Sequence, residues 1–146
     1  MHIIIIDDHE LVRDGIKNLV EQEFGWHVLF DVAAIEELPN ADVLADVDVA
    51  IIDISLQEAS GFDVLNTIKT NYPDVRCLMV SMYEHVGYIS KALELGADGY
   101  VTKTAATKEL MCALDALENG DNYLSSDLSN KLAFGHNNAF SELTER

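Results

Sequence analysis

Four short apolar runs punctuate the chain, and each stops on a polar or charged residue. Ile3 to Ile6 stops at Asp7 and Asp8, and Val49 to Ile52 stops at Asp53. Cys77 to Val80 stops at Ser81, and Gly99 to Thr102 stops at Lys103. Continuous apolar runs of this length suit strands covered on both faces. Trp26 to Ala33 alternates enough to add one more strand, second in chain order. Between the runs the apolar positions return at helical spacing. Leu11, Val12, Gly15, Ile16, Leu19 and Val20 predict a first helix, stopped by Gly25. In residues 35–46, Pro39 can open a short helix at its first position, with Leu38 before it and Val43 and Leu44 on one face. Phe62, Leu65 and Ile68 mark a third helix, ended near Asn71 and Pro73. Val86, Ile89, Ala92, Leu93 and Leu95 mark a fourth, with Gly96 as C-cap. Leu110, Ala113, Leu114 and Leu117 mark a fifth, closed by Gly120.

Five strand–helix units call for an α/β fold with a parallel sheet, because each parallel crossover needs a connecting element and such crossovers are right-handed. The expected architecture is a doubly wound, flavodoxin-like, five-stranded parallel sheet in the order 2-1-3-4-5, with helices on both faces. The expected organisation is one domain over residues 1–120, then a short helix marked by Leu124, Leu128 and Leu132, and a linker at Gly135 to Ala139.

The chain has 146 residues, 49% hydrophobic, with a formal net charge of −17. A surface this negative repels a phosphate backbone and speaks against nucleic-acid binding by this segment. No apolar stretch approaches a membrane span, and the N-terminus enters a strand with no secretory signal. The two cysteines, Cys77 and Cys112, sit among apolar neighbours and are expected to be buried, reduced thiols, in keeping with a cytoplasmic protein.

Open parallel sheets bind ligands at the carboxyl ends of their strands. If these strands lie side by side, Asp7, Asp8, Asp53, Ser81 and Lys103 meet at one edge. Three crowded carboxylates repel one another, and a divalent cation removes the strain. An all-oxygen donor set favours Mg²⁺ over zinc, for which His9 is the one nearby nitrogen ligand. Phosphoryl transfer needs neutralisation of charge on three oxygens. A metal, a Lys ammonium and a hydroxyl supply one partner each. Taken singly, Asp8 is as good a helix N-cap, Asp53 and Ser81 are turn residues, and Lys103 is a solvated cation; the signal lies in the set. Tyr100 admits two readings, a core ring with its hydroxyl at the surface or a ring that moves inward when Ser81 engages a phosphoryl group. His9 is read as a helix-start residue, with a proton carrier as the alternative.

These residues resemble the receiver domain of bacterial two-component response regulators. The matching motifs are IIIIDDHE (Ile3 to Glu10), VAIIDISL (Val49 to Leu56) with Gly61 after it, MVS (Met79 to Ser81) and ALELGADGYVTK (Ala92 to Lys103). GADGYVTK is most similar to the NarL/FixJ-type subfamily, and SELTER (Ser141 to Arg146) resembles the opening of its helix-turn-helix output domain. The resemblance implies a receiver over 1–120 and a segment 121–146 leading to a DNA-binding domain absent from this chain. It implies that Asp53 accepts phosphate from a sensor histidine kinase. Mg²⁺ would be held by Asp8, Asp7, Asp53 and the Ser55 carbonyl. Ser81 and Lys103 would take phosphoryl oxygens, and Tyr100 would be the switch aromatic. A homodimer is allowed, DNA would be reached only through the missing domain, and catalysis would be limited to the chain's own phosphorylation and dephosphorylation. Gln57 and Thr104 stand where many receivers carry proline, and Met82 where the residue is often small. Two other readings compete: a haloacid-dehalogenase-type phosphatase, although Ser55 stands where its second acid belongs, and a receiver-like interaction module that is never phosphorylated.

Overall fold

A computed structural model describes residues 1–54, 60–82, 86–103 and 107–125. Among these residues six strands form one parallel sheet: β1 (His2–Ile6), β2 (His27–Val32), β3 (Val49–Asp53), β4 (Arg76–Ser81), β5 (Gly99–Thr102) and β6 (Tyr123–Leu124). The order is β2-β1-β3-β4-β5-β6, so the expected five-strand order holds and a sixth strand extends one edge. The described α-helices are α1 (Glu10–Glu21), α2 (Gly61–Asn71), α3 (Val86–Glu94) and α4 (Thr107–Glu118).

Period-2 alternation along the strands sorts the core into two layers. Ile4, Ile6, Ala50, Ile52, Cys77, Met79 and Tyr100 face one side, where α2 and α3 contribute Phe62, Leu65, Ile68, Ile89 and Ala92. Ile3, Ile5, Val49, Ile51, Leu78, Val80 and Val101 face the other, against Ile16 and Val20 of α1 and Ala113, Leu114 and Leu117 of α4. Both faces are covered, which is why the strands read as unbroken apolar runs.

Three expectations are corrected. Residues 35–46 form no α-helix; they make two 3-10 segments, Ile35–Glu37 and Ala41–Asp46. Pro39 falls between them and interrupts the hydrogen-bond ladder. Leu38, Leu44 and Val47 are nonetheless buried in the α2–α3 layer and fill the place of the missing helix. Leu124, expected in a helix, belongs to β6, where it pairs with Tyr100 while Tyr123 pairs with Gly99. Positions 128 and 132, and the linker at 135–139, lie outside the described residues. Cys112 is exposed, whereas Cys77 is buried as expected.

The sixth strand has local causes. Gly99 lacks a side chain where a Cβ would lie 2.8 Å from Leu78 Cδ1 and 3.2 Å from the Tyr123 carbonyl, so the new strand can approach. Arg76 donates to the carbonyls of Gly120 and Asp121 and to Asn122 Oδ1, holding the turn that delivers β6. At the carboxyl end of the interior strand β3, Gly61 has a comparable role. Its Cβ would sit 2.2 Å from the Asp53 carbonyl oxygen, and its N–H donates to Ile54 at 2.9 Å, so α2 starts hard against the end of β3. Ser60 caps that start by accepting from the Asp63 N–H.

Gly61→Ala should lower the unfolding free energy by about 1–3 kcal/mol or more through backbone overlap. Gly15→Ala, in α1 with nothing within 4 Å of the added carbon, should raise it by about 0.5–1 kcal/mol. Urea denaturation of the two variants should therefore give shifts of opposite sign. Burial pushes the Cys77 thiol up to about 12, so its thiolate is scarce at pH 8. A disulfide reagent should label one thiol rapidly in native protein, Cys112, and both in denaturant; two rapid thiols in native protein would contradict the burial of Cys77.

Candidate functional site

Four of the residues that close a strand come together at the carboxyl edge of the sheet. Asp7 and Asp53 are buried, at 2% and 1% exposure, and Lys103 reaches between them. Its Nζ lies 3.1 Å from Asp7 Oδ2 and 3.1 Å from Asp53 Oδ2. The register explains the meeting. β1 pairs with β3, so the residues that follow Ile6 and Ile52 emerge side by side. β5 lies one strand further on, beyond β4, and the Lys103 N–H donates to the Ser81 carbonyl at 2.8 Å, which carries the lysine to the same edge. The long aliphatic stem lets the ammonium cross the width of β4.

Asp8 completes the acidic group. One oxygen each of Asp7, Asp8 and Asp53 and one ring nitrogen of His9 all lie within 4.8 Å of one another. His9 Nδ1 is 3.0 Å from Asp7 Oδ1, 3.1 Å from Asp8 Oδ1 and 3.6 Å from Asp53 Oδ2. The Arg13 guanidinium donates to the Asp7 carbonyl at 2.7 Å, so its charge stays on the backbone side. The N-cap of α1 is His9, not Asp8, and its side chain makes no capping bond. Asp8 is therefore available to the cluster. Sequence reasoning placed His9 at the helix start and missed that its ring turns into the acids; its position next to the Asp pair was the signal.

Hard carboxylate oxygens from few protein groups are the donors a small divalent cation takes. One ammonium faces three carboxylates here, so the donor set carries excess negative charge and fits such an ion.

Ser81 and Tyr100 sit on the other face of the strands. By alternation Ser81 follows Cys77 and Met79 toward the α2–α3 layer, where Tyr100 also points. Both are fully buried, and their side chains are hydrogen-bonded to each other. Burial pushes the Tyr100 phenol above its ordinary range, the Ser81 bond offsets part of this, and Tyr88 adds to it. The surface position considered for the Tyr100 hydroxyl is not found. Tyr88 stacks on Phe62 with ring centroids 6.0 Å apart, and the Lys91 ammonium lies 4.7 Å from the Phe62 ring centre, so α2 and α3 are tied together over the layer that buries Tyr100. Ser55, Gln57 and Thr104 lie outside the described residues.

Residues 3–115 match the response regulator receiver domain family. The response regulator UvrY of Escherichia coli K12 is 28% identical over 152 residues, covering 100% of this chain and 70% of its own length. A LuxR-family two-component response regulator from Aurantimonas sp. SI85-9A1 superposes with a TM-score of 0.86 at 29% identity, covering 92% of this chain and 96% of that one. The isolated REC domain of RcsB from Salmonella enterica serovar Typhimurium, in the presence of phosphomimetic BeF3⁻, superposes with a TM-score of 0.83 at 29% identity, covering 90% and 98%.

Excess negative charge at a largely buried site costs stability when no cation is bound. Asp8→Asn should therefore raise the unfolding free energy by about 1–2 kcal/mol in chelator-treated buffer at neutral pH. Urea titration reads this directly, and a less stable variant would contradict the repulsion inferred here.

Proposed function

The chain belongs to the response regulator receiver domain family, and from that premise we propose that Asp53 is its phosphoacceptor. A carboxylate oxygen of Asp53 attacks the phosphorus of a phosphohistidine on a sensor kinase. The P–N bond breaks, the imidazole leaves and takes up a proton, and an acyl phosphate forms. The observation that carries this reading is the meeting of the Asp7, Asp8 and Asp53 oxygens with the Lys103 ammonium at one strand edge. Such a transfer asks the protein mainly for positioning and neutralisation of charge.

Each neighbour has a part in this proposal. Lys103, already 3.1 Å from Asp53 Oδ2, pairs with a phosphoryl oxygen. Ser81 takes another through its hydroxyl. Asp8 and Asp7, with Asp53 and the Ser55 carbonyl, hold Mg²⁺, which when bound supplies positive charge against the phosphoryl oxygens. Ser81 and Tyr100 form the switch. When the hydroxyl turns to the phosphoryl group, the hydrogen bond between the two side chains is exchanged, and the faces of α3, β5 and α4 respond. The chain's chemistry is then confined to gaining and losing its own phosphate. Receivers are signalling proteins rather than metabolic enzymes, and no observation favours the phosphatase reading.

Among the described residues no helix is long and apolar enough to cross a membrane. We assign the protein to the cytoplasm, where a sensor kinase presents its phosphohistidine. A net charge of −17 opposes direct contact with DNA, so residues 1–120 act as the receiver and transcriptional output belongs to an output domain of the NarL/FixJ type, to which 121–146 lead. Pairing of receivers through the α3–β5–α4 face is compatible with this arrangement.

Acetyl phosphate with Mg²⁺ should add one phosphate to the wild-type chain. Asp53→Asn should abolish the addition while leaving the circular dichroism spectrum unchanged. Intact mass spectrometry reads both, and equal labelling of the variant would refute the assignment.

A further inference from the structure

His9 is the N-cap of α1, and its carbonyl accepts the Arg13 N–H at 2.9 Å, but its side chain is turned to another use. Its side chain makes no capping bond, and its backbone N–H donates to Asp7 Oδ1 at 2.8 Å. That bond folds the chain back so that the ring enters the acidic group. There Nδ1 meets two kinds of neighbour at once. Three carboxylate oxygens lie 3.0, 3.1 and 3.6 Å away, and the Lys103 ammonium lies 3.2 Å away. Carboxylates only accept hydrogen bonds and an ammonium only donates them. A ring nitrogen carrying hydrogen opposes the lysine. A ring nitrogen carrying a lone pair opposes the three acids. Neither placement of the proton satisfies every contact in this arrangement.

A divalent cation removes the conflict, because it draws lone pairs from oxygen and nitrogen alike. We propose that His9 Nδ1 is a fourth side-chain ligand beside Asp7, Asp8 and Asp53, and that it shifts the site's preference from Mg²⁺ toward first-row transition-metal divalent ions. This rests on the reading of Asp7, Asp8 and Asp53 as cation ligands. Imidazole is a borderline-soft donor that adds little for Mg²⁺ but much for ions later in the Irving–Williams order. The ring side chain is 55% exposed, so it can rotate toward an incoming ion without disturbing the core. For the same reason its replacement leaves the fold intact.

Isothermal titration of chelator-treated wild-type, His9→Ala and Asp8→Ala proteins with Co²⁺ and, separately, with Mg²⁺ tests the proposal. His2 and His27, whose ring centroids are 6.3 Å apart on neighbouring strands, are present in all three proteins and contribute a common background. His9→Ala should weaken Co²⁺ binding by about tenfold or more while changing Mg²⁺ binding by less than about threefold. Asp8→Ala should weaken both. If His9→Ala moves both ions by the same factor, or moves neither, while Asp8→Ala weakens both, the role of His9 is overturned and the acidic site stands. If Asp8→Ala leaves both affinities as in the wild type, the site itself is overturned and the His9 proposal goes with it.

Discussion

The repulsion between Asp7 and Asp53, held in check by one lysine, is the constraint to which the rest of this molecule is fitted. Two carboxylates almost without exposure stand at the ends of adjacent strands, and the Lys103 Nζ lies 3.1 Å from an oxygen of each. Burying like charges is unfavourable, and removing the counter-charge from such a group usually costs several kcal/mol. The sheet must therefore be rigid enough to hold the acids together, and β5 must end where its lysine can reach them. The apolar layers on both faces supply the rigidity. The register of β1, β3, β4 and β5 supplies the reach. Local strain of this kind is common at sites that exchange ligands, because binding relieves what folding had to tolerate.

The other end of the sheet is held by charge as well, and the contrast is informative. Asp98 receives Lys69 at 2.7 Å and Arg76 at 3.4 Å, and accepts from the Cys77 N–H at 2.8 Å. Two cations and a backbone donor satisfy one carboxylate, so nothing there calls for a ligand. The amino ends of β4 and β5 are thus fixed, together with the turn that brings in β6. Asp98 is neutralised by its own neighbours, whereas the acids at the carboxyl ends of β1 and β3 retain excess negative charge. This asymmetry separates framework from site within a single domain.

Much of this was legible before any coordinates. Ile3 to Ile6, Val49 to Ile52 and Cys77 to Val80 read as strands because both of their faces are covered and no polar position interrupts them. Asp7, Asp8, Asp53, Ser81 and Lys103 stood out as candidates because they close such runs, and parallel strands share one carboxyl edge. The failures have physical causes. Leu124 joins a strand only because Arg76 holds the preceding turn and Gly99 leaves room, and both conditions are tertiary. Residues 35–46 carry two buried core residues, Leu38 and Leu44, on a chain interrupted by Pro39, so their burial says nothing of their helix type. Cys112 lies one position off the stripe formed by Ala113, Leu114 and Leu117, a difference that apolar neighbours conceal. The inward Tyr100 hydroxyl depends on Ser81, a partner on another strand, and the His9 ring direction depends on a fold-back onto Asp7 that spacing alone does not reveal.

The central claim is that the strand-end acids form the cation site, in preference to the many other carboxylates of a chain with 26 acidic residues. Amide chemical shifts of ¹⁵N-labelled protein during a Mg²⁺ titration test this most directly. The account predicts that the largest, saturating changes fall at Asp7, Asp8, His9, Asp53, Ile54 and Lys103. Changes concentrated instead around Asp42, Asp46 and Asp48, or spread evenly over the acidic surface without saturation, would contradict it.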